Sequence, residues 1–285
     1  MEGRGARVKS IGHYVRSGDW SDYWSTRISQ ATEGRILVRG YPLEEIIDSL
    51  NYVEAMWLLI RGEPPTKLQA QVWDVVLRAA MDQQFINSAV CAARYVASAH
   101  PESPIPAIAA GILAHGSVTG SPRPAAEMIY EAYDIMQKEG LSKEEAAARI
   151  VTKYLEEKRF LPGFGHPMHK TTEPRAQVLR RKVKQLGAWG EKAQLFEAIH
   201  AEACKRLGRE LPINLAGMAA AVQCELGFDP IEIEALAPIG YIFAIMAHVV
   251  EEIKEGVPLR IIPEPLGAKY IGPAERHLPS QERGH

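Results

Sequence analysis

After residue 43, apolar side chains return every three or four positions along most of this chain, the spacing of amphipathic helices. From Glu44 to Arg61 the residues Ile46, Ile47, Leu50, Val53, Met56, Trp57 and Leu59 hold close to that period. The run then stops at Gly62 ahead of Pro64-Pro65. The same pattern predicts helices over residues 69–81, 87–99, 105–114 and 125–137. Ser142 followed by Lys143, Glu144 and Glu145 reads as an N-cap with acids in the first turn, so another helix opens there. Four more are predicted over 173–186, 191–207, 213–226 and 230–253, with proline and glycine clusters between the helical runs. Only Arg35-Ile-Leu-Val-Arg39 ahead of Gly40 reads as a strand, one half of a small hairpin near the N-terminus. The expected class is all-α. Two stretches, 107–114 and 216–224, are dense in alanine and glycine, which lets helices approach closely in a core or at a subunit interface. The last twenty residues, rich in proline and charge, read as an irregular arm.

Composition narrows the class further. A chain of 285 residues can bury a large core as one domain or two. Its apolar fraction of 46% and charged fraction of 24% are those of a soluble globular protein. The net charge of −2, with no long block of one sign, gives no electrostatic case for nucleic acid or a membrane surface. The opening residues lack the apolar stretch of a signal peptide, and no run is read as approaching transmembrane length, so a cytoplasmic protein is expected. Cys91, Cys204 and Cys224 are too widely spaced for a disulfide framework or a metal-ligand pattern. Cys91 and Cys224, in alanine-rich helices, are expected to be buried as small hydrophobes.

Chemistry concentrates in Leu161-Pro-Gly-Phe-Gly-His-Pro-Met-His-Lys-Thr-Thr-Glu-Pro-Arg175. Its glycines let the backbone come close to a ligand, and His166 is an imidazole able to move a proton near neutral pH. Glu173-Pro174-Arg175 reads as a fresh helix start with proline in the first turn, and Arg175 can fork onto a carboxylate. Taken alone, the run is also compatible with a loop holding an incidental histidine. His169 is expected to face solvent.

The segments taken in order resemble the citrate synthase family, most closely its short citryl-CoA-lyase-like branch. The resemblance runs through Trp24-Ser-Thr-Arg-Ile-Ser29, residues 34–45, residues 56–65 and Asn87-Ser-Ala-Val-Cys-Ala-Ala-Arg94. It continues through residues 161–175, Leu211-Pro-Ile-Asn-Leu-Ala-Gly217, Ala247-His-Val-Val-Glu-Glu252 and Tyr270-Ile-Gly-Pro273. It implies a two-domain helical fold with a small N-terminal hairpin. Residues 1–120 and 228–285 would form a large dimerising domain, 121–227 a small one, and the active-site cleft would lie between them. It also implies a reaction that makes or cleaves a carbon–carbon bond between an acyl-CoA thioester and a keto acid. CoA would then be a substrate, with no tightly bound cofactor and no metal. His166 would act on the carbonyl, Arg175 and Asn214 on the substrate, and Pro162, Gly163, Phe164 and Gly165 on CoA.

Other positions depart from the family pattern. Thr119, in Gly116-Ser-Val-Thr-Gly-Ser121, lies where the family has its enolate-binding histidine, and Ala216 lies where it has its catalytic aspartate. Gln84 falls near a histidine that binds the keto acid, while Tyr241 and Glu264 fall roughly at carboxylate-binding arginines. A threonine hydroxyl can still donate a hydrogen bond, but an alanine cannot move a proton. His115, four residues before Thr119, could supply an imidazole or simply pack as a rim histidine. Arg123 could bind an anion or stand as a solvated loop arginine. Three readings follow: an enzyme with an altered site, a degenerate member that binds CoA or an acid or pairs with an active paralogue, and a CoA-thioester hydrolase. A homodimer is expected, or a hetero-oligomer with such a paralogue.

Overall fold

The computed structural model of the chain describes residues 9–82, 85, 87–116 and 120–278. Helix α1 (Ile11–Ser17) precedes an antiparallel sheet of β1 (Ser29–Thr32), β2 (Arg35–Val38) and β3 (Tyr41–Pro42), ordered β1-β2-β3. Ser29 pairs with Val38 and Thr32 with Arg35, and Gly34 turns the hairpin at φ +71°. The expected hairpin is therefore present, with a third strand too short for a period of two to reveal. The predicted helix from Glu44 to Arg61 is two helices, α2 (Leu43–Ser49) and α3 (Tyr52–Arg61). Leu50 and Asn51 are extended between them. Asn51 Oδ1 accepts the Glu54 amide and the Glu54 carboxylate accepts the Asn51 amide, a complete capping box. Half-buried Leu50 carries the apolar rhythm across the break, which is why periodicity alone hides it.

The remaining helices follow the sequence closely: α4 (Lys67–Ala79), α5 (Ser88–Ala99), α6 (Pro104–Leu113), α7 (Arg123–Glu139), α8 (Lys143–Glu156), α9 (Pro174–Gln185), α10 (Glu191–Leu207), α11 (Leu215–Glu225) and α12 (Pro230–Glu255). Ser142 caps α8 as expected, accepting the Glu145 amide while its own amide donates to the Glu145 carboxylate. By compactness the described residues divide into two units, one from 1–80 and 121–240, the other from 81–120 and 241–285. Residues 121–227 fall wholly within the first.

In the first unit α11 is the central element. Leu215 and every residue from Gly217 to Cys224 are buried, and the helix packs on α4, α7, α9 and α10. Ala219, Ala220 and Ala221 permit that closeness. Around it Trp73, Met128, Ile129, Leu179, Phe196 and Phe228 are fully buried, each such side chain stabilising the fold by roughly 1.5–3 kcal/mol. In the second unit α5 and α6 pack together, and Ala89, Ala93, Ala97 and Ala107 form a core with Tyr241, Ile245 and Val249 of α12. A Cβ on Gly111 would come within 2.9 Å of Ile245, so the small residue is required there. Cys224 is buried as expected. Cys91 is only half-buried, with its thiol 3.3 Å from the Phe85 carbonyl.

The expectation that no run approaches transmembrane length is corrected at α12, which is long and apolar enough by length and composition to cross a membrane. Ile233, Leu236, Tyr241, Ile245 and Val249 recur on its buried side, and Glu232, Glu234, Glu251 and Glu252 charge its two ends. This is also the pattern of a core helix.

Candidate functional site

The segment 161–166 is laced to the segment 211–217 by backbone and side chain. Phe164 and Ile213 form an isolated antiparallel bridge. Gly165 N donates to Pro212 O at 2.8 Å, and Asn214 N donates to Gly163 O at 3.0 Å. Gly163 and Gly165 take φ of +89° and +84°, a region that side chains with a Cβ rarely enter. Gly163 also meets Gly217, where an added Cβ would lie 2.5 Å from the Gly163 Cα and carbonyl oxygen. Asn214 is engaged at both ends of its side chain. Its Oδ1 accepts the Gly217 amide and caps α11, and its Nδ2 donates to Gly165 O at 2.9 Å. Asn214 thereby clamps the loop to the helix start.

Beneath this clamp runs α10. Phe164 stacks on Phe196, with ring centroids 5.0 Å apart and planes at 17°, and lies 5.3 Å from the ring of His200. His200 Nε2 is 2.7 Å from the Leu211 carbonyl, so this nitrogen carries the proton and donates. Half-buried Pro162, Gly163, Phe164 and Gly165 therefore share one tightly held stretch.

His166 follows directly. Its Nδ1 accepts from two backbone amides, Met168 N and His169 N, both at 3.1 Å. An imidazole nitrogen that accepts twice carries no proton, so the ring is neutral with its hydrogen on Nε2. Partial burial, with the adjacent His169, holds its pKa below the usual imidazole value, reinforcing that state. The His169 ring lies 4.6 Å from that of His166 and is half-buried, so the expectation of a solvent-facing His169 is corrected. The tight turn that aims two amides at Nδ1 folds His169 back.

Arg175 stands in the first turn of α9. Glu173, the N-cap, is fully buried. Its carboxylate accepts Arg175 N at 3.2 Å, Ala176 N at 3.1 Å and Arg175 Nε at 2.8 Å. The expected helix start is present, but the ion pair inside it was not foreseen. An acid before Pro-Arg signals a cap, and nothing local signals its burial.

The other sequence candidates are placed as follows. Arg123 is bound to Glu127 at 2.8 Å and Glu234 at 2.7 Å, two carboxylates that answer its charge. His115 and Tyr241 belong to the second unit, their ring centroids 5.2 Å apart. The Tyr241 phenol is buried with no hydrogen-bond partner among the described residues, and burial pushes its pKa up. Ala216 is the second residue of α11 and presents a methyl group. Thr119 and Gln84 lie outside the described residues. Glu264 begins a short 3-10 turn and is exposed. Among the described residues no group of three or more His, Cys, Asp or Glu side chains could hold a metal ion.

Known proteins share the fold and the family pattern. The family model described as citrate synthase, C-terminal domain, matches residues 63–262. The chain is similar to citryl-CoA lyase from Hydrogenobacter thermophilus, with a TM-score of 0.81 and 31% identity over 90% of this chain and 97% of that one. It shares the fold of ATP citrate lyase from Methanosaeta concilii in complex with (3S)-citryl-CoA, with a TM-score of 0.71 and 18% identity over 96% of this chain and 46% of that one. Citrate synthase 2 of Bacillus subtilis is 28% identical over 141 residues, 49% of this chain. The matched region spans only 37% of that relative's length. The chain belongs to the citrate synthase family.

Proposed function

We propose that the chain is an enzyme of the citryl-CoA lyase or citrate synthase type, making or cleaving a carbon–carbon bond between an acyl-CoA thioester and a keto acid. The observation that carries this reading is the neutral His166, whose Nε2–H is left as the donor by two amides on Nδ1. In the synthetic direction the enolate carbon of the thioester attacks the ketone, and charge gathers on the ketone oxygen. A fixed Nε2–H aimed at that oxygen stabilises the developing alkoxide, an effect typically worth about 10²–10³-fold in rate. In cleavage the tertiary hydroxyl gives up its proton to a base or water, the C–C electrons pass to the carbon beside the thioester, and the same donor holds the oxygen that becomes the ketone. Pro162, Gly163, Phe164 and Gly165 would hold CoA and Arg175 a carboxylate. Asn214 would support that stretch by tying Gly165 to the start of α11. Arg123, already answered by two carboxylates, is the weakest member of this set.

Ala216 favours a second reading. Its methyl group cannot take the proton from the carbon beside the thioester, a role that typically supplies about 10²–10⁴-fold. A member that binds CoA or an acid without turnover, or that completes the site of an active paralogue, is consistent with that loss. Exposed Ile105 and Leu113 on α6 and Phe243 on α12 support assembly with a second chain.

Mass spectrometry of products from a citryl-CoA and acetyl-CoA panel, with and without keto acids, separates the readings. The enzyme reading expects C–C products abolished by His166→Ala. The binding reading expects CoA affinity by calorimetry without turnover. Release of free acid and CoA with no ketone present marks a hydrolase. Absence of both CoA binding and turnover, alone or with a paralogue, overturns the proposal.

A further inference from the structure

We propose that His200 is a positioning residue for the site, acting through the Leu211 carbonyl and the Phe164 ring to hold His166 as a neutral Nε2–H donor. The inference rests on the reading of His166 as the carbonyl-polarising group. His200 lies in α10 one turn after Phe196, and these two side chains meet the two sides of one clamp. The Phe164 ring rests on both, while the His200 Nε2–H holds Leu211 O at 2.7 Å. Leu211 begins the strand-like stretch whose Pro212 O, Asn214 N and Asn214 Nδ2 bind Gly163 and Gly165. His166 is the next residue. The chain of contacts thus runs from a helix to a carbonyl, to a bridge, to the residue before the imidazole.

The remaining surroundings agree with this assignment. The Cys204 Sγ is 3.5 Å from the same Nε2, but that nitrogen already donates to a carbonyl oxygen, the stronger acceptor. His200 therefore does not activate the thiol. Its bond to Leu211 uses the Nε2–H. His166 differs, since its Nδ1 accepts, and protonating it would eject two amide donors.

Three variants separate the parts. His200→Phe keeps a ring against Phe164 and removes the donor, His200→Gln keeps an N–H near the same place, and His200→Ala removes both. The first readout needs no substrate: nitrogen-15 NMR of the His166 imidazole in the full-length protein. Wild type is expected to show one protonated and one unprotonated ring nitrogen at neutral pH. His200→Gln should keep that signature, whereas His200→Phe and His200→Ala should average it toward exchanging tautomers. The second readout is steady-state kinetics with the thioester that the product panel identifies. His200→Phe should lower kcat about 10–10²-fold, as misplacement by about an ångström can, with KM within about threefold. His200→Gln should restore most of it. If His200→Phe lowers the melting temperature but leaves both the His166 signature and kcat at wild-type values, the side chain is only structural and the proposal fails. It also fails if His200→Gln behaves like His200→Ala in both readouts. Wild-type protein with no turnover and no CoA binding instead removes the reading of His166, while the NMR comparison still decides whether His200 sets its tautomer.

Discussion

Glu173→Ala removes a carboxylate that is fully buried and accepts three hydrogen bonds at the start of α9. Two losses combine. The N-cap is worth about 1 kcal/mol, and the charge-assisted bond from Arg175 Nε about 1.5–3 kcal/mol. The Arg175 side chain is 29% exposed and can recover some hydration, so the lower part of that range applies. The expected cost is about 3 kcal/mol. With an m-value of about 3 kcal/mol per M in urea, the midpoint should fall by about 1 M. Melting should fall by about 6 °C at roughly 2 °C per kcal/mol. Glu173→Gln keeps one acceptor but turns an N–H toward a donor, so about half the effect is expected. The assay is urea unfolding followed by far-UV circular dichroism and by tryptophan fluorescence, with coincident curves required. A midpoint for Glu173→Ala within about 0.2 M of wild type would refute the reasoning, because a buried carboxylate holding an arginine cannot be removed at no cost.

Gly217→Ala should destabilise by about 1–3 kcal/mol in thermal melts, the usual cost of overpacking, since the new Cβ falls 2.5 Å from Gly163 backbone and outweighs the gain in helix propensity of about 1 kcal/mol. His166 should titrate below 6.5 by NMR. Its folded pKa is depressed, so its contribution to stability is fully present above 6.5 and lost as pH falls through the folded value. His166→Gln should remove that increment. Glu252→Ala should cost the second unit about 3–5 kcal/mol, because the fully buried carboxylate binds Arg94 Nε at 2.6 Å and Arg260 Nη2 at 3.0 Å. Limited proteolysis should then cut faster within 257–278, the segment anchored by Arg260 and by Leu259 N on Ser98 O. Burial raises the Glu252 pKa, but the bonds from Arg260 and Arg94 outweigh it and hold it below 4.5. That stabilisation is therefore present above 4.5 and lost as pH falls through the folded value. Leu113→Asp should shift the chain to a smaller species in light scattering if α6 helps form a dimer.

The fold was legible because most of it follows from local rules. The 3.6 period located helices α4 to α12, and Ser142 and Glu173 marked starts that the structure keeps. The rules failed where two of them competed. At Leu50–Asn51 the apolar period ran on while the capping box broke the helix, and the cap prevailed because it satisfies two backbone amides. The run around His166 stood out as a candidate for chemistry, since two glycines beside a histidine let backbone approach a ligand. The contacts around it did not: His200 reaches a carbonyl eleven residues away and the Glu173 cap is buried, both through tertiary packing.

That division bears on the residue at 216. The parts that hold His166 are mostly backbone: the Phe164–Ile213 bridge, the Gly163–Gly217 contact and the two amides on Nδ1. Substituting the side chain at 216 need not disturb them. Alanine at 216 sits one residue from Gly217, yet the Asn214 cap and the glycine contact remain whole. Under the proposed reading, the loop that holds His166 therefore does not depend on the side chain at 216. A side chain that restores the base should then act without repacking the loop. Ala216→Asp is expected to leave the His166 nitrogen signature unchanged, and thioester turnover that rises in this variant places the missing proton carrier at 216. Turnover unchanged from wild type, with the fold intact, places it on another residue.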